Sequence, residues 1–329
     1  MALFGAVGCV TTDQLPAPGP GVFSAPPSDP PFPNWPMPPA EVERRMGLDA
    51  FDIPDPPKRT AQGIGGAQVL KIRFPEDGAT LKVKWKRMPP DLDGVNNAPR
   101  KEIAAYELQK LVLDPSEYVV PTSVPRCVRL ERFEELGVAA EPTIPESRCV
   151  MGLLSVWIDD VTVPELLYDE RRFLDDPVYA HYLANFNLIT YLIQHLDGRD
   201  GNFLVSTDES RRQVYAVDNG ISFGAFFYNW FVPNWEVIRV PALRRESIDR
   251  LRTLRREDLD SLGVLVHMSV DEDGVLRPAS YTENFDDDDG ARIQGRSIQL
   301  GLTEDEIDEV WERIEDVIED VDEGQVPVH

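Results

Sequence analysis

Residues suited to moving a phosphoryl group cluster past the middle of the sequence. His195-Leu196-Asp197-Gly198-Arg199-Asp200-Gly201-Asn202 places an Asp and an Asn five positions apart, directly after a helix-like apolar run. Soon after, Val217-Asp218-Asn219-Gly220 ends a short apolar run in a second Asp. Phosphoryl transfer uses such a set. One Asp orients or deprotonates the acceptor hydroxyl. An Asn a few residues on, and an Asp on a neighbouring strand, hold the divalent metal that bridges the nucleotide phosphates. Asp197 is therefore the candidate catalytic residue, and Asn202 and Asp218 are candidate metal ligands. Taken alone, Asp197-Gly198 is a turn signal, and Asp-Gly recurs at Asp77-Gly78 and Asp273-Gly274. The coupling to Asn202 and Asp218 is what points to function. His195 reads as an orienting or core histidine, not a base.

These residues need elements to position them. Residues 69–74 read as a strand, Pro75-Glu76-Asp77-Gly78 as a hairpin turn and 79–86 as the return strand. In the return strand Leu81, Val83 and Trp85 alternate with Lys82, Lys84 and Lys86. The apolar face packs inward. The lysine face is either solvated or turned into a cleft. A helix is expected over 99–113, with Pro99 in its first turn after Asn97. Further strands fall near 119–125, 127–130 and 149–158. The run 178–193 has the strongest helical pattern, and 202–206 with 213–217 forms a short hairpin carrying the metal ligands. A charged helix follows over 244–258. Thr303-Glu304-Asp305-Glu306 is a capping box. It opens a terminal helix whose apolar face is Ile307, Val310, Trp311, Ile314, Val317, Ile318 and Val321, with a solvated acidic face opposite. The acidic stretches 271–274 and 286–289 lack calcium-loop spacing and read as exposed loops.

Composition narrows the partners. The 329 residues hold 33 basic and 58 acidic side chains, a net charge of -25. That surface repels nucleic acid and anionic membranes. Leu3 to Gly8 is apolar and small-residue-rich and stops at Cys9, like a bacterial lipoprotein processing site, although the positive region of a signal peptide is missing. Residues 10–58 are Pro-rich and read, with the leader, as a disordered tether in which Phe32 and Trp35 are the residues able to dock. The expected address is therefore the bacterial cell envelope, with a lipid on Cys9; without that leader reading the expectation is cytoplasmic. Cys127 and Cys149 remain, free to pair or to stay as buried thiols.

The ordered set is more specific than any single motif. Gly65-Gly66-Ala67-Gln68, the lysine hairpin, Glu102-Ile103-Ala104-Ala105-Tyr106-Glu107-Leu108, Val119-Val120-Pro121, Asp197 to Asn202 and Asp218-Asn219-Gly220 through Phe223-Gly224 occur in one order. Over residues 63–224 this resembles the secretory-pathway kinases of the Golgi casein kinase and four-jointed type, within the wider phosphatidylinositol-kinase-like group. The resemblance implies an α+β, two-lobed protein-kinase-like fold. Residues 59–158 would form a small antiparallel-sheet lobe with one helix, and 159–329 a mainly helical lobe. It also implies ATP with Mg2+ or Mn2+. A small-lobe lysine would bind the phosphates: Lys84 by its central place, with Lys82 and Lys86 as alternatives. Glu102, or less well Glu107, would reach that lysine or the metal. Two departures stand out. Asn202 replaces the Glu usual in the secretory kinases, and Gly198-Arg199-Asp200-Gly201 replaces their basic, His-rich loop. The implied function is an exported, membrane-tethered phosphotransferase acting on a protein or carbohydrate hydroxyl. The alternatives are a nucleotide-binding pseudokinase scaffold and a nucleotidyl transferase on the same fold.

Overall fold

The computed structural model describes residues 32, 34–59, 66–89, 92–94, 98–198, 201–224 and 235–329. Leu3–Cys9 and most of the Pro-rich stretch, Gly65, Asn97, Arg199 and Asp200 lie outside them. The chain builds a small lobe on a five-stranded antiparallel sheet ordered β1-β2-β3-β5-β4. Its strands are β1 (Lys58–Arg59), β2 (Gln68–Arg73), β3 (Thr80–Arg87), β4 (Ser123–Arg129) and β5 (Cys149–Val156). β2 and β3 pair through the Asp-Gly turn, where Gly78 takes φ +72°. The two strands expected over 119–130 are one strand, β4, followed by the short helix α3 (Leu130–Glu135). Helix α2 (Pro99–Val112) crosses this sheet.

β3 lies centrally, and its alternation is fixed by packing. Leu81, Val83 and Trp85 are buried in the main core. Trp85 lies against Gly152 of β5, where an added Cβ would come within 2.5 Å of the ring. Only glycine lets the two strands approach over that indole. With the apolar face so anchored, Lys82, Lys84 and Lys86 must leave the sheet on its other side.

Residues 34–58 are not a tether. Pro39–Leu48 forms helix α1, started by Pro39 in its first turn. Val42, Met46, Trp35 and Ile53 join the main core. Asn34 donates to the carbonyls of Asp159 and Asp160 at 2.9 and 3.2 Å and accepts from the Tyr215 hydroxyl at 3.1 Å. The segment thereby straps the joint between the lobes. Pro-rich composition misled because a few large apolar residues, correctly spaced, bury enough surface to fix a short helix.

Beyond the joint, β6 (Val161–Thr162), β7 (Phe203–Ser206) and β8 (Val214–Ala216) form a small sheet beside α4 (Glu170–Asp175) and α5 (Pro177–Leu192). Asp176 caps α5, accepting from the N–H groups of Val178 and Tyr179, and α5 is buried almost all round. The charged helix expected over 244–258 is α6 (Arg245–Leu251) followed by a separate 3-10 turn, Arg256–Leu262. The terminal helix α7 (Glu304–Asp322) forms as its capping box predicts.

This half is less purely helical than expected. It also carries a second antiparallel sheet ordered β10-β9-β12-β11, from β9 (Val266–Val270), β10 (Leu276–Pro278), β11 (Ala291–Gln294) and β12 (Ser297–Leu300). Met268, Val270, Leu276 and Ile298 pack there with Met151 and Leu153 of β5. β5 is therefore covered on both faces and buried at every position. Cys127 and Cys149, on adjacent strands, are disulfide-bonded with Cα atoms 5.5 Å apart. Among the described residues no helix is long and apolar enough to cross a membrane.

Candidate active site

A cavity of about 650 Å³ opens between the lobes. From the small lobe Lys84, Glu102, Ser155 and Trp157 reach it; Asp159 and Asp160 of the joint line it; and Asn202, Asp218 and Asn219 close it from the large lobe. Glu102, Asn202 and Asp218, the three expected metal ligands, thus line the same cavity.

The loops that carry them are built locally. Asn202 ends its loop where β7 begins, and its carbonyl accepts from Val217 N–H at 2.8 Å. That bond places Asp218 beside it. Asn202 Nδ2 donates to Asp197 Oδ2 at 2.8 Å and to Asp197 O at 3.0 Å. Asp197 is 5% exposed and lies behind the cavity wall. Asp218 adopts φ +64°, a left-handed conformation that Asp tolerates better than most residues and that concentrates at functional sites. His195 is fully buried against Phe203, and neither ring nitrogen has a hydrogen-bond partner among the described residues. Burial holds its pKa down to about 4, so it is a neutral core residue at ordinary pH.

The lysines do not share their roles as the sequence suggested. Lys86, not Lys84, makes the close pair with Glu102, at 2.8 Å, and is itself 4% exposed. Its ammonium also lies 3.0 Å from Asp218 Oδ1. Lys84 stands on the cavity wall, 3.2 Å from Asp218 and 3.8 Å from Glu102. Lys82 lies over the Trp157 ring, 3.9 Å from its centroid, and does not itself line the cavity. Glu102 stands in the first turn of α2 and meets β3 at Lys86, nearer the strand's end than the central Lys84: central position in a strand does not mean closest to the helix. Glu107 faces elsewhere, pairing with Lys110 at 2.7 Å.

Charge balance in this cluster is tight. Burial opposes ionisation of Asp218, yet the Lys84 and Lys86 ammonium groups hold its carboxyl well below the usual range. Burial likewise opposes the charge of Lys86, and Glu102 and Asp218 together raise its pKa above the ordinary lysine value. Two carboxylates and a side-chain amide lining one cavity provide oxygen donors of the type suited to Mg2+ or Mn2+, which use one or two carboxylates and take the rest from water and phosphate. Among the described residues no group of three His, Cys, Asp or Glu forms a self-sufficient metal cage.

The sequence reading missed Arg100, Lys101 and Glu306. Arg100 pairs with Glu306 at 2.5 Å, and Lys101 pairs with it at 2.9 Å. One signal was available: two basic residues in the first turn of a helix oppose its dipole and require a partner.

No family model matches the sequence, and no curated protein matches it. Among solved structures, the Golgi casein kinase with Mn and ADP bound superposes with a TM-score of 0.51 at 13% identity, over 88% of this chain and 78% of that one. The fold is kinase-like. A second structure of the Golgi casein kinase aligns at 14% identity over 65% of this chain and 64% of that one, with a TM-score of 0.41 too low to add to the argument. The α+β, two-lobed kinase-like architecture expected from the ordered motifs agrees with this neighbour.

Proposed function

We propose that the chain is an ATP- and divalent-metal-dependent phosphotransferase of the atypical kinase class, acting on a protein or sugar hydroxyl. The observation that carries this reading is that Lys84, Glu102, Asn202 and Asp218 all line one inter-lobe cavity, with the Lys84 ammonium 3.2 Å from Asp218 and 3.8 Å from Glu102. Asp218, Asn202 and Glu102 would hold Mg2+ or Mn2+, which supplies neutralisation of phosphate charge. Lys84, which lines the cavity, would meet the phosphates. Lys86, behind it, fixes Glu102 and Asp218 relative to each other. Asp197, held by the Asn202 amide, would accept the proton of the acceptor hydroxyl. The Golgi casein kinase with Mn and ADP gives the nucleotide and metal a precedent on this fold.

Burial of Asp197 favours a second reading, a pseudokinase that binds nucleotide without turnover. A nucleotidyl transferase would bind ATP in the reverse sense. Incubation with γ-labelled and α-labelled ATP and Mn2+ separates the three. Transfer of the γ label supports the kinase, transfer of the α label the nucleotidyl transferase, and binding without transfer the pseudokinase. In the kinase reading Asp218→Ala abolishes metal-dependent ATP binding, while Asp197→Asn spares binding and lowers transfer by about 10²-fold or more. Equal loss of binding in both variants would make Asp197 a metal ligand.

An exported location with a lipid on Cys9 is part of the same proposal. The Cys127–Cys149 disulfide suits an oxidising compartment. Mass spectrometry of the protein from its native host, searching for a diacylglyceryl Cys9, tests it.

A further inference from the structure

Arg100 and Lys101 stand in the first turn of α2, where the helix dipole disfavours positive charge, and both are buried at 7% exposure. Glu102, the next residue, belongs to the cavity wall. Asp93 pairs with Arg100 alone, and the carboxylate that both cations share comes from the far end of the sequence. Glu306 takes Arg100 through both oxygens, at 2.5 and 3.0 Å, and takes Lys101 at 2.9 Å. Lys101 continues the chain of contacts. Its Nζ donates at 2.9 Å to the carbonyls of both Ser222 and Phe223, a few residues after Asp218. Arg100 also reaches Asp93 at 2.7 Å and the Gly301 carbonyl at 3.1 Å. Glu306 therefore stands where three pieces meet: the start of α7, the start of α2 and the segment leaving Asp218.

We infer that Glu306 is a positioning residue for the inter-lobe site, clamping α2 to the Asp218–Phe223 segment so that Glu102 and Asp218 stay opposed across Lys86. This rests on the phosphotransferase reading. The physical reason is desolvation. Two buried cations side by side repel each other, and without the shared carboxylate the first turn of α2 relieves that cost by moving toward water. Glu102 moves with it. Burial works against the charge of Glu306, yet the Arg100 hydrogen bond and the charges of Arg100 and Lys101 keep its carboxyl below the usual range. The acidic side chains on the outward face of α7 have no such task.

Glu306 also closes the capping box of α7: its carboxylate accepts from Thr303 N–H at 3.0 Å, and Thr303 Oγ1 accepts from Glu306 N–H at 3.2 Å. The two duties are separable. Glu306→Gln keeps an acceptor for the capping box but removes the charge. Thr303→Ala weakens the cap but keeps the carboxylate. Mn2+ with ADP is titrated by calorimetry and by the Mn2+ paramagnetic resonance signal, alongside thermal melting and hydrogen exchange. Glu306→Gln is expected to weaken Mn·ADP binding about tenfold and to speed exchange in Pro99–Val112 and in 218–223. Thr303→Ala is expected to lower Tm by about 2–3 °C with Mn·ADP affinity and exchange in those segments unchanged. Unchanged binding and exchange in Glu306→Gln, or parallel losses in both variants, would overturn the clamp. If the unaltered protein binds no Mn·ADP, the phosphotransferase reading fails, and the exchange pattern alone decides the clamp. Should Glu306→Gln not fold, Lys101→Gln severs the same link on its Ser222 and Phe223 side. It is expected to weaken Mn·ADP binding and to speed exchange over 218–223, and no change in either would overturn the clamp.

Discussion

Helices α2 and α7 are both rich in charge, and the fold treats those charges in opposite ways. In α2, Arg100, Lys101 and Glu102 are all buried, and the helix shows no clean apolar stripe because β4, α6 and the 3-10 turn at 256–262 pack on it, while Glu306 and the 222–223 carbonyls reach its first turn. In α7 one stripe, Ile307, Val310, Ile314 and Val317, is buried, while Glu312, Glu315 and Glu319 face water. Glu306 is the exception, and it is the residue that reaches α2. Buried charge marks the place where the molecule has an arrangement to hold; solvated charge marks only a surface.

The sharpest way to break that comparison is to remove a buried charge at its centre. Lys86→Met leaves Glu102, 3% exposed, without its 2.8 Å partner. Breaking a buried pair from one side costs about 3–5 kcal/mol, and Lys84, 3.8 Å from Glu102, offsets part of it. Lys84→Met leaves the Lys86–Glu102 pair intact, so it is expected to cost under about 1 kcal/mol of stability while weakening nucleotide binding more than it weakens the fold. Chemical denaturation and ATP titration of the two variants read both quantities. A larger loss of stability in Lys84→Met than in Lys86→Met would reverse the assignment of the two lysines.

The buried neutral group gives the next test. With its pKa lowered from 6.5 to about 4, His195 takes up a proton less readily folded than unfolded. The stability this neutral imidazole permits is complete above pH 6.5. It is lost as pH falls from 6.5 toward 4, at about 1.4 kcal/mol per pH unit and reaching about 3 kcal/mol. His329, also lowered to about 4 by burial, contributes a slope of the same sign. His195→Phe is therefore expected to flatten, without abolishing, the loss of stability between pH 6.5 and 4. An unchanged slope would show that His195 is hydrated in solution.

What the sequence made legible follows the same division. The α7 stripe, the β3 alternation and the nearness of Asn202 to Asp197 could be read because each depends on residues close in sequence. The choice among Lys82, Lys84 and Lys86 could not, since it turns on where the first turn of α2 meets β3 in space. Glu306 escaped for a similar reason: 204 positions separate it from Glu102, and along its own helix it reads as one more acid in a capping box. The continuous apolar run of β5 did hint at cover on both faces, but strands β9 to β12 that supply it are too short to announce themselves. Residues 34–58 were not legible because their Pro-rich composition masks the spacing of Trp35, Val42 and Met46, which the core uses.

The smallest effect is expected on the outward face of α7, and its smallness matters to the comparison. Glu315 lies three residues after Glu312 and four before Glu319, so like charges neighbour it on both sides of the helix surface. All three are exposed. Glu315→Lys replaces two repulsions by two attractions at these spacings. It also takes two units from a net charge of -25. Each i,i+3 or i,i+4 contribution is worth about 0.2–0.5 kcal/mol and is screened by salt. Glu315→Lys is therefore expected to raise stability by less than about 1 kcal/mol at low ionic strength, with the gain shrinking as salt is added and Mn·ADP affinity unchanged. The control is Glu306→Gln, which removes one charge from the same helix and is expected to change affinity about tenfold. If Glu315→Lys altered nucleotide affinity as much as Glu306→Gln, the whole acidic face would be acting on the site through its long-range field. Burial would then no longer separate the two classes of charge.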